Sequence, residues 1–298
     1  MGEKSMKNVN AKIKRVLVLG ASGMLGNAMF RYFSNSSDFE AFGTIRSNGS
    51  AKLFIPSIQP HLISGVDVEN LDCLLKVFGD VKPDIVINCI GLVKQLAAAE
   101  DPLLALPINT LLPHRLKRIC ALSNARLVLI STDCVFSGSK GMYAEDDHPD
   151  ARDVYGLSKY FGEVVDSATT ITLRTSIIGH EMSGNHSLIN WFLAQNESVN
   201  GYTNAIFSGL PTVELARVVR DFVVPNDSLS GLYHVSAEPI SKYDLLQAVS
   251  KEYCKKIEIV PSRDIIIDRS LDSSRFRLAT GYMPESWKTL VKKMHQFG

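Results

Sequence analysis

The sequence of 298 residues has no long apolar stretch and no excess of charge of either sign, and each absence excludes a class of protein. No segment approaches the roughly 20 consecutive apolar residues that a membrane-spanning helix requires. The 32 Lys and Arg residues nearly balance the 31 Asp and Glu residues, which gives a net charge of +1. Neither a nucleic acid nor a membrane is therefore expected as a partner, and any anionic ligand must be held by local groups.

The sequence also lacks the usual marks of secretion and of metal binding. The five cysteines are an odd number without C-x-x-C spacing, which predicts reduced thiols in a cytoplasmic protein. Basic residues precede a short apolar run at residues 16–19, but glycines from position 20 onward interrupt the pattern of a signal peptide. His180 and Glu181, followed by His186, lack the H-E-x-x-H spacing of zinc enzymes, so no metal is expected.

Short segments rich in Val, Ile and Leu alternate with helical patterns through the first 175 residues. The predicted strands are residues 14–19, 40–45, 63–66, 84–90, 126–130 and 171–174, and the predicted helices are residues 24–33, 69–78, 104–122 and 154–166. This alternation is typical of parallel sheets covered by helices on both faces. The predicted fold class is therefore α/β, a Rossmann-type doubly wound parallel sheet.

After residue 174 the alternation becomes irregular, and Gly, Asn and Ser are frequent. Helices are predicted at residues 187–195, 213–222 and 241–253, with strands at residues 204–207, 231–235 and 257–260. We therefore expect a first domain over residues 12–175 and a smaller C-terminal α/β part over residues 176–298, which can interleave with the first sheet. Residues 1–11 are expected to form a frayed polar tail.

A G-x-x-G-x-x-G turn, residues 20–26, follows the first predicted strand and opens a helix. Glycines permit a tight turn and a close backbone approach, so a pyrophosphate can sit on the free N–H groups at the helix N-terminus. A structural turn would also favour glycine, but the position between strand and helix favours a dinucleotide cofactor. The residues assigned to the cofactor here are Gly20, Ser22, Gly23, Met24 and Leu25.

The end of the second predicted strand favours NADP(H) over NAD. An acidic residue about 20 positions beyond the turn usually binds a free ribose 2'-hydroxyl, and none is present there. Arg46 can instead pair with a 2'-phosphate, with Ser47 as an additional donor. Asp67, after the third strand, is either a ligand of the adenine amino group or a helix N-cap.

Three polar residues in the expected order indicate carbonyl chemistry. Thr132 follows the fifth strand, where parallel sheets place their ligands, and Tyr155 and Lys159 share one face of the next predicted helix. An ammonium beside a phenol would help the phenol exchange protons nearer neutral pH. A Y-x-x-x-K pair alone also occurs on ordinary helix surfaces, so the indication comes from the set.

Together with the glycine-rich turn, these residues resemble the short-chain dehydrogenase/reductase superfamily in its extended form. The resemblance implies that Tyr155 is the general acid and that Thr132 supports the carbonyl. It implies that Lys159 binds the nicotinamide ribose and lowers the Tyr155 pKa, and Asn109 is a candidate for a proton relay. Cys89 and Gly91, around the end of the fourth strand, complete the expected cofactor residues.

Segments across most of the chain resemble the dTDP-4-dehydrorhamnose reductase family. They are residues 82–88, 131–136, 173–176, 209–216, 231–234 and 273–276. Sugar 4,6-dehydratases have Glu where this chain has Cys134, because elimination of water needs a further base. With Cys134 in that place, a plain ketone reduction remains.

The expected substrate residues are Lys94, Asp133, Asn190 and Arg275, of which Arg275 would bind the nucleotide diphosphate. The chain departs from the family in Cys134, usually an aromatic residue, and in residues 92–96, where an Asp-Lys pair is usual. These departures leave the sugar and the nucleobase open.

The resemblance implies an NADPH-dependent reductase of a 4-keto-6-deoxy nucleotide sugar, for surface polysaccharide precursors. On that basis residues 12–175 bind the cofactor and carry the catalytic set, while residues 176–298 mainly bind the nucleotide sugar. The alternative is a regulatory subunit that binds NADP without turnover, like the related beta subunit of methionine adenosyltransferase. A homodimer is a further expectation.

Overall fold

The computed structural model describes residues 13–94 and 97–298. The predicted N-terminal tail and residues 95 and 96 lie outside them. The strands are β1 (Lys14–Leu19), β2 (Phe39–Thr44), β3 (Leu62–Ile63), β4 (Ile85–Asn88), β5 (Arg126–Thr132), β6 (Thr170–Thr175), β7 (Ile177–Ile178), β8 (Val199–Tyr202), β9 (Ala205–Phe207), β10 (Leu210–Pro211), β11 (Gly231–His234), β12 (Ile240–Ser241), β13 (Ile259–Ser262) and β14 (Ile267–Asp268).

The helices alternate with these strands in the first half and cluster near the C-terminus. They are α1 (Met24–Ser34), α2 (Leu71–Val81), α3 (Pro102–Ala105), α4 (Leu112–Leu122), α5 (Val154–Phe161), α6 (Leu188–Ala194), α7 (Thr212–Val218), α8 (Lys242–Glu252), α9 (Ser274–Thr280) and α10 (Trp287–Phe297). The π-helical segment Leu106–Leu111 connects α3 to α4. A second π-helical segment, Val219–Val223, continues α7.

Seven parallel strands form the central sheet in the order β11-β6-β5-β4-β1-β2-β3. Two hydrophobic clusters cover its two faces, with Val16 in one and the next residue, Leu17, in the other. This division follows because successive strand side chains point to opposite faces. The predicted Rossmann-type α/β class is confirmed.

The carboxyl ends of the central strands lie along one edge of the sheet. In register, Leu19 of β1 lies beside Asn88 of β4, and Asn88 lies beside Leu129 of β5. Strand β5 continues for three residues after Leu129, so Thr132 lies beyond the end of the neighbouring strand β4. Ligands of open α/β sheets bind at this edge.

The element boundaries differ from prediction where glycine or proline intervenes. The third strand ends at Ile63 rather than residue 66, close before Gly65, whose φ of +74° turns the chain. The predicted helix over residues 104–122 contains the π-helical segment Leu106–Leu111, in which Pro107 lacks the N–H of a regular helix ladder. The helix predicted to reach residue 166 ends at Phe161.

The C-terminal part contributes directly to the main sheet and core. Strand β11 pairs in parallel with β6, and Phe276 and Leu290 belong to the same cluster as Val16. Helices α9 and α10 were not among the predicted helices. The division at residue 175 stays a prediction. Within the described residues, no helix has the length and apolar character needed to cross a membrane.

Candidate active site

The glycine-rich turn connects β1 to α1 at the carboxyl edge of the sheet. Gly20 has a φ of +81°, which favours glycine, and a Cβ on Gly26 would lie 2.0 Å from the Gly20 carbonyl oxygen. Helix α1 has no side-chain cap at Gly23 and no acidic residue in its first turn. The first-turn N–H groups of Met24 and Leu25, which lack intrahelical acceptors, are therefore suited to an anion.

Arg46 and Asp67 lie close together just beyond the ends of the neighbouring strands β2 and β3. The Val66 N–H donates to the Ile45 carbonyl oxygen at 3.2 Å, so the residues that follow them, Asp67 and Arg46, lie on neighbouring segments. Both side chains are exposed, and Arg46 has no ion pair among residues that the structure describes. A guanidinium in this position can receive a phosphate, and its assignment to the 2'-phosphate stays a prediction.

The N-cap alternative for Asp67 is wrong. Its carboxylate accepts from the Glu69 N–H at 3.0 Å in a local turn, whereas Asn70 caps α2 by accepting from the Cys73 N–H at 3.1 Å. The cap residue therefore lies three residues after Asp67, and the helix begins at Leu71, directly after the Asn70 amide. The predicted contact of Asp67 with adenine stays open.

Thr132 and Tyr155 come together because α5 approaches the end of β5 very closely. Gly156, next to Tyr155, makes this possible, since a Cβ there would lie 2.5 Å from the Cys134 carbonyl oxygen. The Thr132 hydroxyl accepts from the Cys134 N–H at 3.1 Å and donates to Asp133 at 3.2 Å. The Thr132 side chain also acts to lower the pKa of the Tyr155 phenol.

Lys159 lies one turn along α5 and is fixed at the same edge of the sheet. Its Nζ donates to the Ile130 carbonyl oxygen of β5 at 2.8 Å. A Cβ on Gly91 would lie 3.7 Å from this Nζ, so the backbone after β4 passes directly beside it. The i, i+4 spacing predicted this shared helix face, and the structure brings both side chains to the edge where β5 ends.

Burial shifts the pKa values of Tyr155 and Lys159 in opposite directions, because it disfavours the charged form of each. The pKa of Tyr155 is raised by burial and by the nearby Cys134, and the Thr132 hydrogen bond only partly offsets this. Burial therefore has the largest influence on the Tyr155 pKa, and the predicted lowering of this pKa by Lys159 stays a prediction. The pKa of Lys159 is lowered to about 8 by burial, against the opposing charge of Glu163.

The residues after β4 form the adjoining wall of the site. Burial raises the pKa of the Cys89 thiol to about 12, so it is a neutral group beside Lys159. Asn109, in the π-helical segment, accepts from the Leu92 N–H at 2.9 Å and donates to Ser158 at 3.1 Å. Asn109 thus fixes this wall to α5, and its role in a proton relay stays a prediction.

Asp133 and Cys134 occupy the buried side of the site. Burial raises the pKa of Asp133, and the charge of Arg269 is the largest opposing influence. The pKa of Cys134 is raised to about 12, again mainly by burial. A neutral thiol at this position supplies no base for the elimination of water. Asp133 lies beside the Thr132 hydroxyl, and its contact with substrate stays a prediction.

Two other expected substrate residues, Lys94 and Asn190, are held by partners in different parts of the chain. Lys94 forms an ion pair with Asp153 at 2.8 Å, and Asp153 in turn caps α5 just before Tyr155. The amide of Asn190 is occupied within its own loop, where it accepts from the Glu181 N–H and donates to the Gly184 carbonyl oxygen. The structure therefore gives Asn190 a role in anchoring a loop, and its predicted substrate contact stays open.

Arg275 is paired with acidic residues at a partly exposed position. It donates to Asp146 at 2.6 Å and lies 3.7 Å from Glu145. The pair with Asp146 is exposed and contributes little stability, whereas the Glu145 side chain is only 4% exposed. Arg269 lies nearer to Asp133, whereas Arg263 lines a separate shallow cleft with Thr203.

Sequence reasoning missed a buried ion pair close to Lys159. Arg174 of β6 donates to both carboxylate oxygens of Glu163, at 2.7 and 2.8 Å, and both side chains are almost fully buried. Ser131 donates to the same carboxylate at 2.7 Å, and His234 lies 3.3 Å from Arg174. An arginine in a strand predicted to be covered on both faces was the available sequence signal, because a buried charge needs a partner.

The chain matches a family model described as the RmlD substrate binding domain over residues 14–296. It is 25% identical over 307 residues to the dTDP-4-dehydrorhamnose reductase of Aggregatibacter actinomycetemcomitans, covering 95% of this chain and 99% of that protein. It is 23% identical over 258 residues to the methionine adenosyltransferase 2 subunit beta of Xenopus laevis, covering 83% and 74%.

Solved structures share the fold. A dTDP-4-dehydrorhamnose reductase from Bacillus anthracis, crystallised with NADP, superposes with a TM-score of 0.79 at 22% identity and covers 97% of this chain and 100% of that chain. A dTDP-glucose 4,6-dehydratase from the same organism, in complex with NAD, gives a TM-score of 0.76 at 15% identity, covering 95% and 96%.

Proposed function

Because the chain belongs to the RmlD substrate binding domain family, as its motifs predicted, we propose that it reduces a nucleotide-linked 4-keto-6-deoxy sugar with NADPH. The proposed substrate is of the dTDP-4-dehydrorhamnose type, and the product would supply surface polysaccharide synthesis. One observation carries the proposal. Thr132, Tyr155 and Lys159 assemble at the end of β5, beside a turn suited to a diphosphate.

The residues present fit NADPH. The uncapped first turn of α1 would hold the pyrophosphate, Arg46 the 2'-phosphate, and Lys159 the nicotinamide ribose beside Gly91. When bound, this cofactor supplies the hydride that reduces the ketone carbon. The chain itself contributes orientation, charge and a proton.

Tyr155 is the proposed proton donor. Its raised pKa keeps the phenol protonated across the neutral range, which suits a group that must donate to the developing alkoxide oxygen. The Thr132 hydroxyl, which lies near the Tyr155 phenol, would orient the carbonyl oxygen toward that phenol. The positive charge of Lys159 would favour the phenolate left after proton transfer.

The neutral Cys134 separates this reaction from dehydration. A dehydratase needs a further base at the sugar, and the thiol here stays protonated because burial raises its pKa to about 12. Lys94, beside the cap of α5, and Asp133, beside Thr132, are the proposed sugar contacts. Arg275 is the proposed contact for the nucleotide diphosphate.

The similarity to methionine adenosyltransferase 2 subunit beta keeps a second candidate function, an NADP-binding regulatory subunit. This alternative is weaker because it gives no reason for the assembled Thr132, Tyr155 and Lys159. The two candidates differ in whether the protein oxidises NADPH in the presence of a keto sugar: the reductase does, and the regulatory subunit does not.

A cytoplasmic location and a homodimer complete the proposal. All five cysteines are free thiols, as is usual in a reducing compartment. Helix α3 and the π-helical segment pack against α5, and exposed apolar side chains lie on and beside these neighbouring elements. This apolar helix surface consists of Leu103, Leu104, Leu106, Leu111, Leu157, Phe161 and Val165. The proposed partner at this surface is a second copy of the chain, because a symmetric dimer buries the same apolar side chains on both copies.

The decisive experiment replaces the phenol. Purified protein is given NADPH and a panel of dTDP- and UDP-linked 4-keto sugars, and oxidation of the cofactor is followed by absorbance. Tyr155→Phe should lower kcat on the order of 100- to 10,000-fold while NADPH affinity is kept, because only the transferable proton is removed.

Tyr160→Phe on the same helix is the matched control and should retain turnover. Wild-type rates in Tyr155→Phe would contradict the proton donor. Tight NADPH binding without oxidation by any sugar would favour the regulatory candidate.

A further inference from the structure

A further cavity lies along α1. Of the residues that line it, only Met24 is also assigned to the reductase reaction. It encloses about 310 Å³ between α1, the C-terminal helix α10 and two loops, a size within the range of small-molecule sites. We call it the α1 cavity. Its lining residues are Met24, Asn27, Ala28, Arg31, Leu53, Phe54, Ile55, His180, Glu181, Met182, Thr212, Val213, Met294, Phe297 and Gly298.

Asn27 is the unexplained group in this cavity. The residue as a whole is only 7% exposed, and its side chain forms no hydrogen bond with any other residue that the structure describes. Its amide is not fully enclosed by protein and opens into the cavity. Buried amides are nearly always paired, because leaving their donors and acceptors unsatisfied is costly. Since Asn27 lines the α1 cavity, its missing partner is most simply supplied by a molecule inside it.

The other walls define what that molecule looks like. Three methionines, at positions 24, 182 and 294, offer flexible polarisable surfaces that accommodate flat rings. Phe54 and Phe297 add aromatic faces, and the Arg31 guanidinium lies 4.1 Å from the centre of the Phe297 ring. The carboxylate of Glu181 is a hydrogen-bond acceptor at the side of the cavity.

We propose that the α1 cavity binds a nucleoside through its base. An asparagine amide presents one donor and one acceptor side by side, and the edges of nucleobases present the complementary pair. The apolar and methionine walls would stack against the ring. The site is distinct from the cofactor site, because the adenine is expected beside Arg46 and Asp67, neither of which lines the cavity.

The test uses the full chain labelled with carbon-13 at its methionine methyl groups and saturated with NADPH. Adenosine, thymidine and cytidine are added separately as probes. At least one probe should shift the signals of Met24, Met182 and Met294, while Met142 and Met283, exposed elsewhere, stay unchanged. The absence of any shift at millimolar concentrations would overturn the proposal. Competition with NADPH for a single site would overturn it as well.

Two variants separate ligand binding from a structural role. Asn27→Leu should keep or raise the melting temperature, because it removes an unpaired buried amide, and should weaken probe binding at least tenfold. Leu53→Trp, at a half-exposed position of the lining, should block the cavity and also abolish the shifts. A loss of stability in Asn27→Leu, or unchanged binding in Leu53→Trp, would contradict the proposal. Turnover with keto sugars is measured separately, so failure of the reductase proposal would not affect this result.

Discussion

At the scale of single residues, Tyr155 and Lys159 illustrate how one environment prepares two different groups. Both lie where α5 meets the end of β5, and burial acts on both. It keeps the phenol neutral and protonated, and it brings the lysine pKa to about 8, close to physiological pH. The neutral proton donor is therefore robust to pH, whereas the charge beside it is not.

This difference predicts the alkaline limb of the pH profile. Lys159 is charged below its pKa and loses its proton as pH rises through about 8, so kcat/KM should decline above that value. Initial rates of NADPH oxidation from about pH 6 to about pH 10, roughly two units either side of this pKa, provide the measurement.

Lys159→Arg is the comparison, because a guanidinium keeps its charge throughout this range. Its activity is expected to be lower overall, but its profile should lack the decline near pH 8. A decline at the same pH in both proteins would show that another group is responsible.

At the scale of secondary-structure elements, glycines control how closely the elements of the site approach. A Cβ on Gly162, at the end of α5, would lie 1.9 Å from the Asn109 carbonyl oxygen, and Gly156 is similarly constrained against Cys134. The π-helical segment carries Asn109 to this contact. Such segments often occur at functional sites, because they reposition side chains within a helix.

The glycine-rich turn allows an element-level prediction. Gly26→Ala should abolish NADPH binding or folding, because the new methyl group would lie 2.0 Å from the Gly20 carbonyl oxygen. Gly79→Ala in α2 is the matched control, since a Cβ there meets no atom within 4 Å. The control should gain roughly 0.5–1 kcal/mol of unfolding free energy from helix propensity.

Urea denaturation and NADPH titration of both variants provide the measurement. If Gly26→Ala bound NADPH like the wild type, the close approach of α1 to the turn would be refuted as a requirement of the cofactor site.

At the scale of the whole molecule, the two parts of the chain share one core. Strand β11 extends the main sheet, and Phe276 and Leu290 pack in the cluster that also contains Val16 of β1. The C-terminal part therefore supports the sheet edge at which Thr132 lies, as well as carrying Arg275. The functional division at residue 175 stays a prediction, because residues on both sides are joined in packing.

The apolar helix surface provides a prediction about assembly. Phe161→Glu, at a position 55% exposed, should convert a dimer into monomers, because burying the new charge in the interface is unfavourable. Leu278→Glu on α9 is the control, since Leu278 is 88% exposed and lies outside this surface. Light scattering coupled to size-exclusion chromatography gives the molar mass of each protein. A monomeric wild type, or a dimer that persists in Phe161→Glu, would rule out this interface.

The sequence by itself determined the features that depend on local pattern. Alternating apolar runs predicted the parallel α/β class, the glycine spacing located the turn between β1 and α1, and the i, i+4 spacing placed Tyr155 and Lys159 on one helix face. Each of these three features follows from backbone periodicity or from the conformational freedom of glycine, and none requires knowledge of distant contacts.

Tertiary structure alone decided which side chains are buried and what they meet. Arg174 pairs with Glu163, Asn109 bonds to Ser158 at a separation of 49 residues, and burial raises the pKa of Tyr155. The α1 cavity likewise joins residues from both ends of the chain. Desolvation and pairing depend on the packing of segments far apart in sequence, so local periodicity carries no information about them.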